Sequence, residues 1–366
     1  MGGRILLMEP KDREMEPNTR LEGVLEHALA GKDYIALDRA EGLTREYLAE
    51  NGIGRILFAV NLGRYGVNLE YMRLLARLRE DPCLLEGLVG GVITDADSEL
   101  YTKSAASELV FAANMSGCTF VGKPLVEGTG SLDNFAVAAM NLHTEDRLLA
   151  YKDSARKLAE SLEAFPGYRK ERPKILVLHA SSHKTSNTYA LWQEVRKHLE
   201  AEERAPEIRE IGLRNGTVYD CSGCSFRACL HFGEQGSCFY GGVMVEDVYP
   251  AIREADAIVM ICPNYNDAIS ANMTAFINRL TALYRIRQFY DKAVFAIIVS
   301  GYSGGDIIGR QLVAALNMNK NFYLPSKFAM VETANNPGSA LKLAGIDARV
   351  REFAVRMKHT LWKNPC

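Results

Sequence analysis

The sequence has no long apolar run and almost no net charge. Its 366 residues include 43 Lys and Arg against 45 Asp and Glu, which gives a net charge of −2 at pH 7. Without an excess of basic residues, the chain has no broad field that attracts nucleic acid or an anionic membrane. Apolar stretches such as 257–262 and 294–299 are far shorter than the roughly 20 residues that cross a bilayer. We therefore expect neither a nucleic-acid nor a membrane partner.

Features typical of exported proteins are also scarce. The N-terminal MGGRILLMEP lacks the apolar segment of a signal peptide, and eight cysteines are few for a disulfide framework in this length. These observations predict a cytoplasmic protein. A hydrophobic content of 48% with 24% charged residues excludes disorder. At about 150 residues per domain, the length favours two domains.

The two halves of the chain resemble each other. RILLM at 4–8 is similar to KILVL at 174–178, and each precedes a polar loop that reaches an Asn-Thr pair. Several weak matches in the same order indicate a duplication. Two longer pairs of segments also match: 56–78 with 259–280, and 91–115 with 296–318.

A polar segment framed by two prolines, PGYRKERP, separates the halves. We predict a first domain at 1–165, a linker at 166–173 and a second domain at 174–366. Within each half, short apolar runs alternate with amphipathic helical patterns, which indicates βα units around a buried parallel sheet. The second half is predicted to have strands at 174–178, 207–211, 256–262, 294–299 and 327–332. Its predicted helices are 188–201, 271–284, 306–318 and one within 340–362.

Three loops follow strands of the second half, where an open α/β sheet binds its ligands. The first, HASSHKTSNT at 179–188, is rich in hydroxyls and opens into a helix, so it favours a phosphate. A simple helix cap is the alternative. The second, CPNYNDAIS at 262–270, offers amides beside an aromatic ring, although an ordinary turn explains it equally well. The third, SGYSGGD at 300–306, supplies glycines that permit close approach of a ligand.

These loops resemble those of the flavodoxin-like family of NADPH-dependent FMN reductases, including its iron–sulfur flavoprotein branch. The family's first loop, G-S-P-R-x-x-x-N-T, is similar to 180–183 followed by Asn187 and Thr188, and its P-x-Y loop is similar to Pro263 and Tyr265. Ala180 replaces the usual Gly, and His183 stands where Arg is common. The resemblance implies two tandem flavodoxin-like doubly wound parallel sheets in an α/β protein.

The resemblance also implies an FMN site, with no catalytic acid or base assigned. The residues expected at the phosphate are Ser181, Ser182, His183, Ser186, Asn187 and Thr188. Those expected around the isoalloxazine are Pro263, Asn264, Tyr265, Asn266, Ser300, Gly301, Tyr302, Gly304 and Gly305.

The first half differs at the equivalent loop. EPKDREMEPNT at 9–19 carries four carboxylates, which would repel a phosphate by about 1 kcal/mol each. We expect this half to bind no FMN. It is predicted to pack against the second half as a partner subunit would, giving a pseudo-dimer within one chain, with Arg64 or Tyr65 reaching the site. A homodimer is the other assembly considered.

Four cysteines lie in a cysteine-rich insertion at 219–245 of the second half. Their spacing is Cys221-x2-Cys224-x4-Cys229-x8-Cys238. Four thiolates suit an iron–sulfur cluster, such as 4Fe-4S, or a tetrahedral zinc ion. Free or redox-active thiols are a third possibility. The iron–sulfur flavoprotein branch has a more compact C-x2-C-x2-C motif at this place.

The resemblance implies an FMN-dependent NAD(P)H oxidoreductase. Electrons would pass from the nicotinamide nucleotide through FMN and an iron–sulfur cluster to a small acceptor or a redox protein. One alternative is an electron-transfer iron–sulfur flavoprotein without its own small-molecule substrate. Another is a zinc-stabilised flavodoxin-like binding module.

Overall fold

The computed structural model describes residues 3–180 and 185–363. The predicted sites Ser181, Ser182 and His183 lie outside these residues. The chain divides into two compact units, Met1–Pro166 and Gly167–Cys366. No helix in the described part of the chain is both long and apolar enough to cross a bilayer.

The N-terminal unit is a five-stranded parallel sheet with helices between the strands. The sheet order is β2-β1-β3-β4-β5. The strands are β1 (Arg4–Met8), β2 (Tyr34–Leu37), β3 (Ile53–Gly63), β4 (Val89–Ala96) and β5 (Thr119–Gly128). The α-helices are α1 (Thr19–Leu29), α2 (Arg45–Glu50), α3 (Leu69–Glu80), α4 (Thr102–Met115), α5 (Ala136–Asn141) and α6 (Arg147–Ala164).

The C-terminal unit repeats this architecture, with sheet order β10-β9-β8-β6-β7 and all strands parallel. Its strands are β6 (Lys174–His179), β7 (Glu207–Gly212), β8 (Ala257–Pro263), β9 (Ala293–Ser300) and β10 (Ala329–Thr333). Its α-helices are α7 (Asn187–Glu200), α8 (Phe226–Glu234), α9 (Tyr249–Glu254), α10 (Ala271–Tyr284), α11 (Gly305–Leu312) and α12 (Ile346–Leu361).

Both sheets have the same topology. Numbered by strand within each unit, each sheet reads 2-1-3-4-5, which is the doubly wound flavodoxin-like order. The central strands read as continuous apolar runs because helices cover both faces: all eight residues of β9 are buried. The predicted α/β fold with two tandem flavodoxin-like sheets is therefore confirmed.

One predicted helix changes type in the structure. The predicted helix 306–318 is α11 followed by a π-helical segment, Val313–Met318. The C-terminal helix predicted within 340–362 is present as α12 and is preceded by a 3-10 turn, Ala340–Lys342. Gly345 lies between the last two elements with φ +70, a backbone conformation that breaks an α-helix.

Candidate functional site

Four strand-to-helix loops of the C-terminal unit meet at the carboxyl end of its sheet and surround a cavity of about 340 Å³. This is the edge at which doubly wound sheets bind their ligands. The lining residues are Thr185, Ser186, Asn187, Thr188, Pro263, Asn264, Tyr265, Val299, Gly301, Ala334 and Asn335.

The first residues of α7 line this cavity. Ser186 caps the helix, and its Oγ accepts a hydrogen bond from the backbone N–H of Tyr189 at 3.2 Å. The same Oγ lies 2.9 Å from Oγ1 of Thr188. Free N–H groups and the helix dipole favour negative charge at this end of a helix. Ser186 therefore fulfils the capping role that was the alternative to phosphate binding, and it also lines the cavity.

Asn187 joins the loop after β6 to the loop after β10. Its Nδ2 donates to the carbonyl oxygens of Ala334 at 3.2 Å and Asn336 at 2.9 Å. Its Oδ1 accepts from the N–H of Ala340 at 3.3 Å. Because both ends of the side-chain amide are bonded to protein, Asn187 positions these loops.

Asn264 closes the loop after β8 onto the glycine-rich loop. Its Oδ1 accepts from the N–H of Asp267 at 2.8 Å, and its Nδ2 lies 3.0 Å from the carbonyl oxygen of Ser303 and 3.3 Å from Oγ of Ser300. Asn266 and Asp267 adopt left-handed φ values of 53 and 58, which Asn and Asp tolerate. The side-chain amide of Asn264 therefore bonds within these two loops and holds them together.

Two tyrosines offer aromatic surface beside the cavity. The rings of Tyr265 and Tyr302 are 51% and 82% exposed, and the hydroxyl of Tyr302 accepts a bond from Nδ2 of Asn335 at 3.0 Å. Exposed aromatic faces of this kind stack well on a flat heterocycle.

Two glycines of the glycine-rich loop, Gly304 and Gly305, have no room for a side chain. A Cβ on Gly304, whose φ is +83, would lie 2.2 Å from Oδ1 of Asp267. A Cβ on Gly305 would lie 2.5 Å from Cγ1 of Val331. The glycines therefore let the backbone of this loop approach both its neighbours and a ligand.

The structure brings most of the predicted site residues to one place. Ser186, Asn187, Thr188, Pro263, Asn264, Tyr265 and Gly301 line the cavity. The remainder lie in the same loops without lining it: Asn266, Ser300, Tyr302, Gly304 and Gly305. Sequence reasoning missed the fourth loop, which contributes Ala334 and Asn335. Its signal was the polar Asn-Asn-Pro-Gly turn directly after a predicted strand.

The same edge of the N-terminal unit carries a cavity of about 610 Å³. Its acidic lining residues are Glu14, Glu16 and Asp97. The side chain of Asp95, at the end of β4, is completely buried there. Asp95 Oδ1 accepts from Nη2 of Arg20 at 2.6 Å and from Nδ2 of Asn18 at 2.8 Å.

The buried Asp95 carboxylate has a third donor, the hydroxyl of Tyr151 at 3.0 Å. Burial and the adjacent carboxylate hold the pKa of Tyr151 well above its usual range. Arg20 lies near the N-terminus of α1. Its guanidinium forms an ion pair with Asp95 and is therefore not available to bind an external anion. This pairing supports the expectation that the N-terminal unit binds no FMN, which stays a prediction.

The four clustered cysteines surround a separate cavity of about 160 Å³ in the C-terminal unit. Cys221 and Cys224 are exposed in the loop before α8, while Cys229 on α8 and Cys238 after it are half-buried. α8 packs closely on α10, since a Cβ on Gly233 would lie 2.6 Å from the carbonyl oxygen of Ala282. Within the described residues, no three His, Cys, Asp or Glu side chains are arranged to hold a single metal ion.

Basic side chains border this cysteine cavity. Nε of Arg285 lies 3.4 Å from Sγ of Cys229, and Arg279 also lines the cavity. The iron–sulfur or zinc site predicted from the spacing stays a prediction.

The strand order defines a flavodoxin-like domain. The sequence model of the family described as NADPH-dependent FMN reductase matches residues 173–336. The match covers most of the C-terminal unit, as the resemblance of its loops predicted.

Solved structures with a similar fold include several redox proteins. An NAD(P)H:quinone oxidoreductase from Methanothermobacter marburgensis is 15% identical, with 50% of this chain and 98% of that chain covered and a TM-score of 0.38. An azoreductase from Bacillus anthracis str. Sterne is 15% identical, with 50% and 98% covered and a TM-score of 0.39. No curated protein matches the sequence.

Proposed function

We propose that the C-terminal unit binds FMN in its 340 Å³ cavity and passes electrons from NADPH or NADH to a small acceptor or a redox protein. The observation that carries this proposal is the meeting of the α7 N-terminus with the Tyr265 loop and the glycine-rich loop. Together they provide an anion site and a narrow polar slot on one sheet edge.

The roles of the residues follow from their contacts. Ser186, Thr188 and the N–H groups of the first turn of α7 would hold the phosphate. Tyr265 and the backbone at Gly301 would bound the ring, and Asn187 and Asn264 would keep the loops in register. The chemistry supplied by a bound flavin is acceptance of a hydride from a nicotinamide and release of electrons to an acceptor.

FMN binding by a matched pair of helix-cap variants tests the proposal. Ser186→Ala and Thr44→Ala each remove an N-cap hydroxyl, which costs about 1 kcal/mol of stability. Only Ser186 lines the cavity, whereas Thr44 caps α2 in the N-terminal unit. We expect Ser186→Ala alone to weaken FMN binding, measured by flavin fluorescence quenching. Wild-type protein that binds no added FMN would refute the proposal.

NADPH oxidation separates the enzyme from an electron carrier. The FMN-loaded protein is expected to oxidise NADPH rapidly when a quinone is the acceptor. Reduction only by a reduced ferredoxin, with no NADPH turnover, would instead favour a carrier without its own substrate.

We further propose that Cys221, Cys224, Cys229 and Cys238 hold an iron–sulfur cluster. Two features support this: all four cysteines line one cavity, and basic residues border it. A cluster here would transfer one electron at a time, whereas a nicotinamide delivers two electrons together.

Metal analysis of anaerobically purified protein tests the cluster. We expect iron and acid-labile sulfide together, both lost in Cys229→Ser and both retained in Cys83→Ser, which removes a cysteine of the N-terminal unit. Zinc without sulfide would instead favour the zinc-stabilised module.

The assembly and location remain part of the proposal. A pseudo-dimer within the chain, a homodimer and a cytoplasmic location are predictions from the sequence. Small-angle scattering that fitted two independently moving halves would contradict the pseudo-dimer.

A further inference from the structure

Two basic side chains, Arg279 and Arg285, line the cysteine cavity, and a third, Lys320, bonds to Thr281 in the cavity wall; the described lining residues include no acidic side chain. Arg285 directs Nε at Sγ of Cys229 at 3.4 Å, and its guanidinium lies 4.4 Å from the centre of the Phe226 ring. It follows α10 directly, so its backbone is anchored by the helix end. Arg285 thus brings a positive charge and an N–H donor to one of the four sulfurs.

Arg279 is the second of these side chains and is 98% buried. Nη2 donates to the carbonyl oxygen of Gly241 at 2.7 Å and Nη1 to that of Tyr219 at 3.4 Å, both in the segment that carries the cysteines. Its buried Nε has no hydrogen-bond partner among the described residues. Because an unpaired buried donor is costly, a charged group that lines this cavity with a free N–H points to an anionic occupant.

Lys320 is the third basic residue. Its Nζ donates to Oγ1 of Thr281 at 3.0 Å and lies 5.2 Å from the centre of the Tyr284 ring. Burial and the neighbouring Arg285 lower its pKa, while the thiols of Cys221 and Cys229 oppose this shift. The ammonium is thus electrostatically coupled to the cysteines as well as to the arginine.

We propose that Arg285, together with Lys320 and Arg279, raises the reduction potential of the iron–sulfur centre held by the four cysteines. The inference rests on the cluster proposed above. Reduction adds one electron to the centre, supplied by reduced FMN in turnover or by dithionite in a titration, and no proton is needed. The centre then gains one negative charge, so adjacent cations and N–H···S bonds stabilise the reduced form.

Potentiometric titration of the complete holoprotein tests the inference. Arg285→Gln removes a positive charge that lines the cavity, and Lys320→Gln removes one that is bonded to Thr281 in the cavity wall. Arg287→Gln is the matched control, because Arg287 lies two residues from Arg285 but is placed 3.8 Å from Asp291 and does not line the cavity. We expect the equilibrium constant for reduction to fall at least tenfold in each cavity variant, which for one electron is a potential about 59 mV more negative.

In the control Arg287→Gln, the equilibrium constant for reduction should stay within twofold of the wild-type value. Arg285→Lys keeps the charge, so its reduction potential should lie close to that of wild type. Potentials of Arg285→Gln and Lys320→Gln equal to that of Arg287→Gln, with iron, sulfide and FMN content unchanged, would overturn the inference and leave the proposed function standing. If Arg285→Gln fails to retain iron, the potential of Lys320→Gln is compared with that of Arg287→Gln instead, and equal potentials would overturn the inference. Wild-type protein that holds zinc would overturn both the cluster and this inference, while the FMN measurements remain a separate test.

Discussion

Nδ2 of Asn187 lies 2.9 Å from the carbonyl oxygen of Asn336, which joins the first turn of α7 to the loop that follows β10. This bond and its two companions hold together the loops at opposite sides of the cavity.

Asn187→Ala is expected to loosen both loops. Loss of three hydrogen bonds to backbone groups should lower the free energy of unfolding by about 1–3 kcal/mol. FMN binding should weaken about tenfold, which corresponds to about 1.4 kcal/mol. Asn319→Ala is the control, since Asn319 makes one exposed bond to Ala314 away from the cavity. Unchanged FMN affinity in Asn187→Ala would show that the loops hold their positions without it.

Gly304→Ala should damage the site more than an ordinary left-handed glycine would. A Cβ there would meet Asp267 at 2.2 Å, whereas a Cβ on Gly216, with a similar φ of +82, meets nothing within 4 Å. Both substitutions strain the backbone by about 1 kcal/mol. Only Gly304→Ala is expected to reduce FMN affinity, by tenfold or more, in equilibrium titration. Equal affinity in the two variants would mean that the loop relaxes around the added methyl group.

Glu210→Gln should destabilise the C-terminal unit at neutral pH. The Glu210 carboxylate accepts bonds from Nε1 of Trp192 at 2.9 Å, from the hydroxyl of Tyr189 at 3.0 Å and from Nη1 of Arg196 at 2.9 Å. Burial raises the pKa of Glu210, but these donors outweigh it and hold the pKa below its ordinary value of 4.5. The substitution is expected to cost about 1–3 kcal/mol at pH 7.

The pH dependence of this cost has a definite sign. A carboxylate with a depressed folded-state pKa contributes its full stability above pH 4.5 and loses it as the pH falls through the folded-state pKa. The difference in the free energy of unfolding between wild type and Glu210→Gln should therefore become smaller below about pH 4. Both tryptophans, Trp192 and Trp362, lie in the C-terminal unit, so fluorescence during denaturation measures it. Glu207→Gln, an exposed change on the same strand, should show no such gap.

Asp95→Ala is expected to destabilise the N-terminal unit strongly. It leaves the Arg20 guanidinium without its buried partner, which costs about 3–5 kcal/mol. Asp33→Ala breaks the exposed pair with Arg4 and should cost less than about 1 kcal/mol. Hydrogen exchange of the β1, β3 and β4 amides measures both. Equal protection of these amides from hydrogen exchange in the two variants would contradict a stabilising role for the hydrogen bonds of Asp95.

Much of the C-terminal fold was predictable because its strands are buried on both faces. The apolar runs predicted at 174–178 and 294–299 correspond to β6 and β9, and the helix at 271–284 has the predicted ends. The start of the last helix at Ile346 depends on the left-handed Gly345, which apolar periodicity does not reveal.

The sequence by itself determined the repeated βα pattern, three of the four loops that form the cavity and the spacing of the four cysteines, because each depends on residues close together in the chain. Only the tertiary structure showed that Asn187 and Asn264 bond to other loops, that the loop after β10 lines the cavity, and that Arg285 and Lys320 adjoin the cysteines. These contacts join residues separated by tens to more than a hundred positions, and no local pattern of side chains encodes which of them will meet.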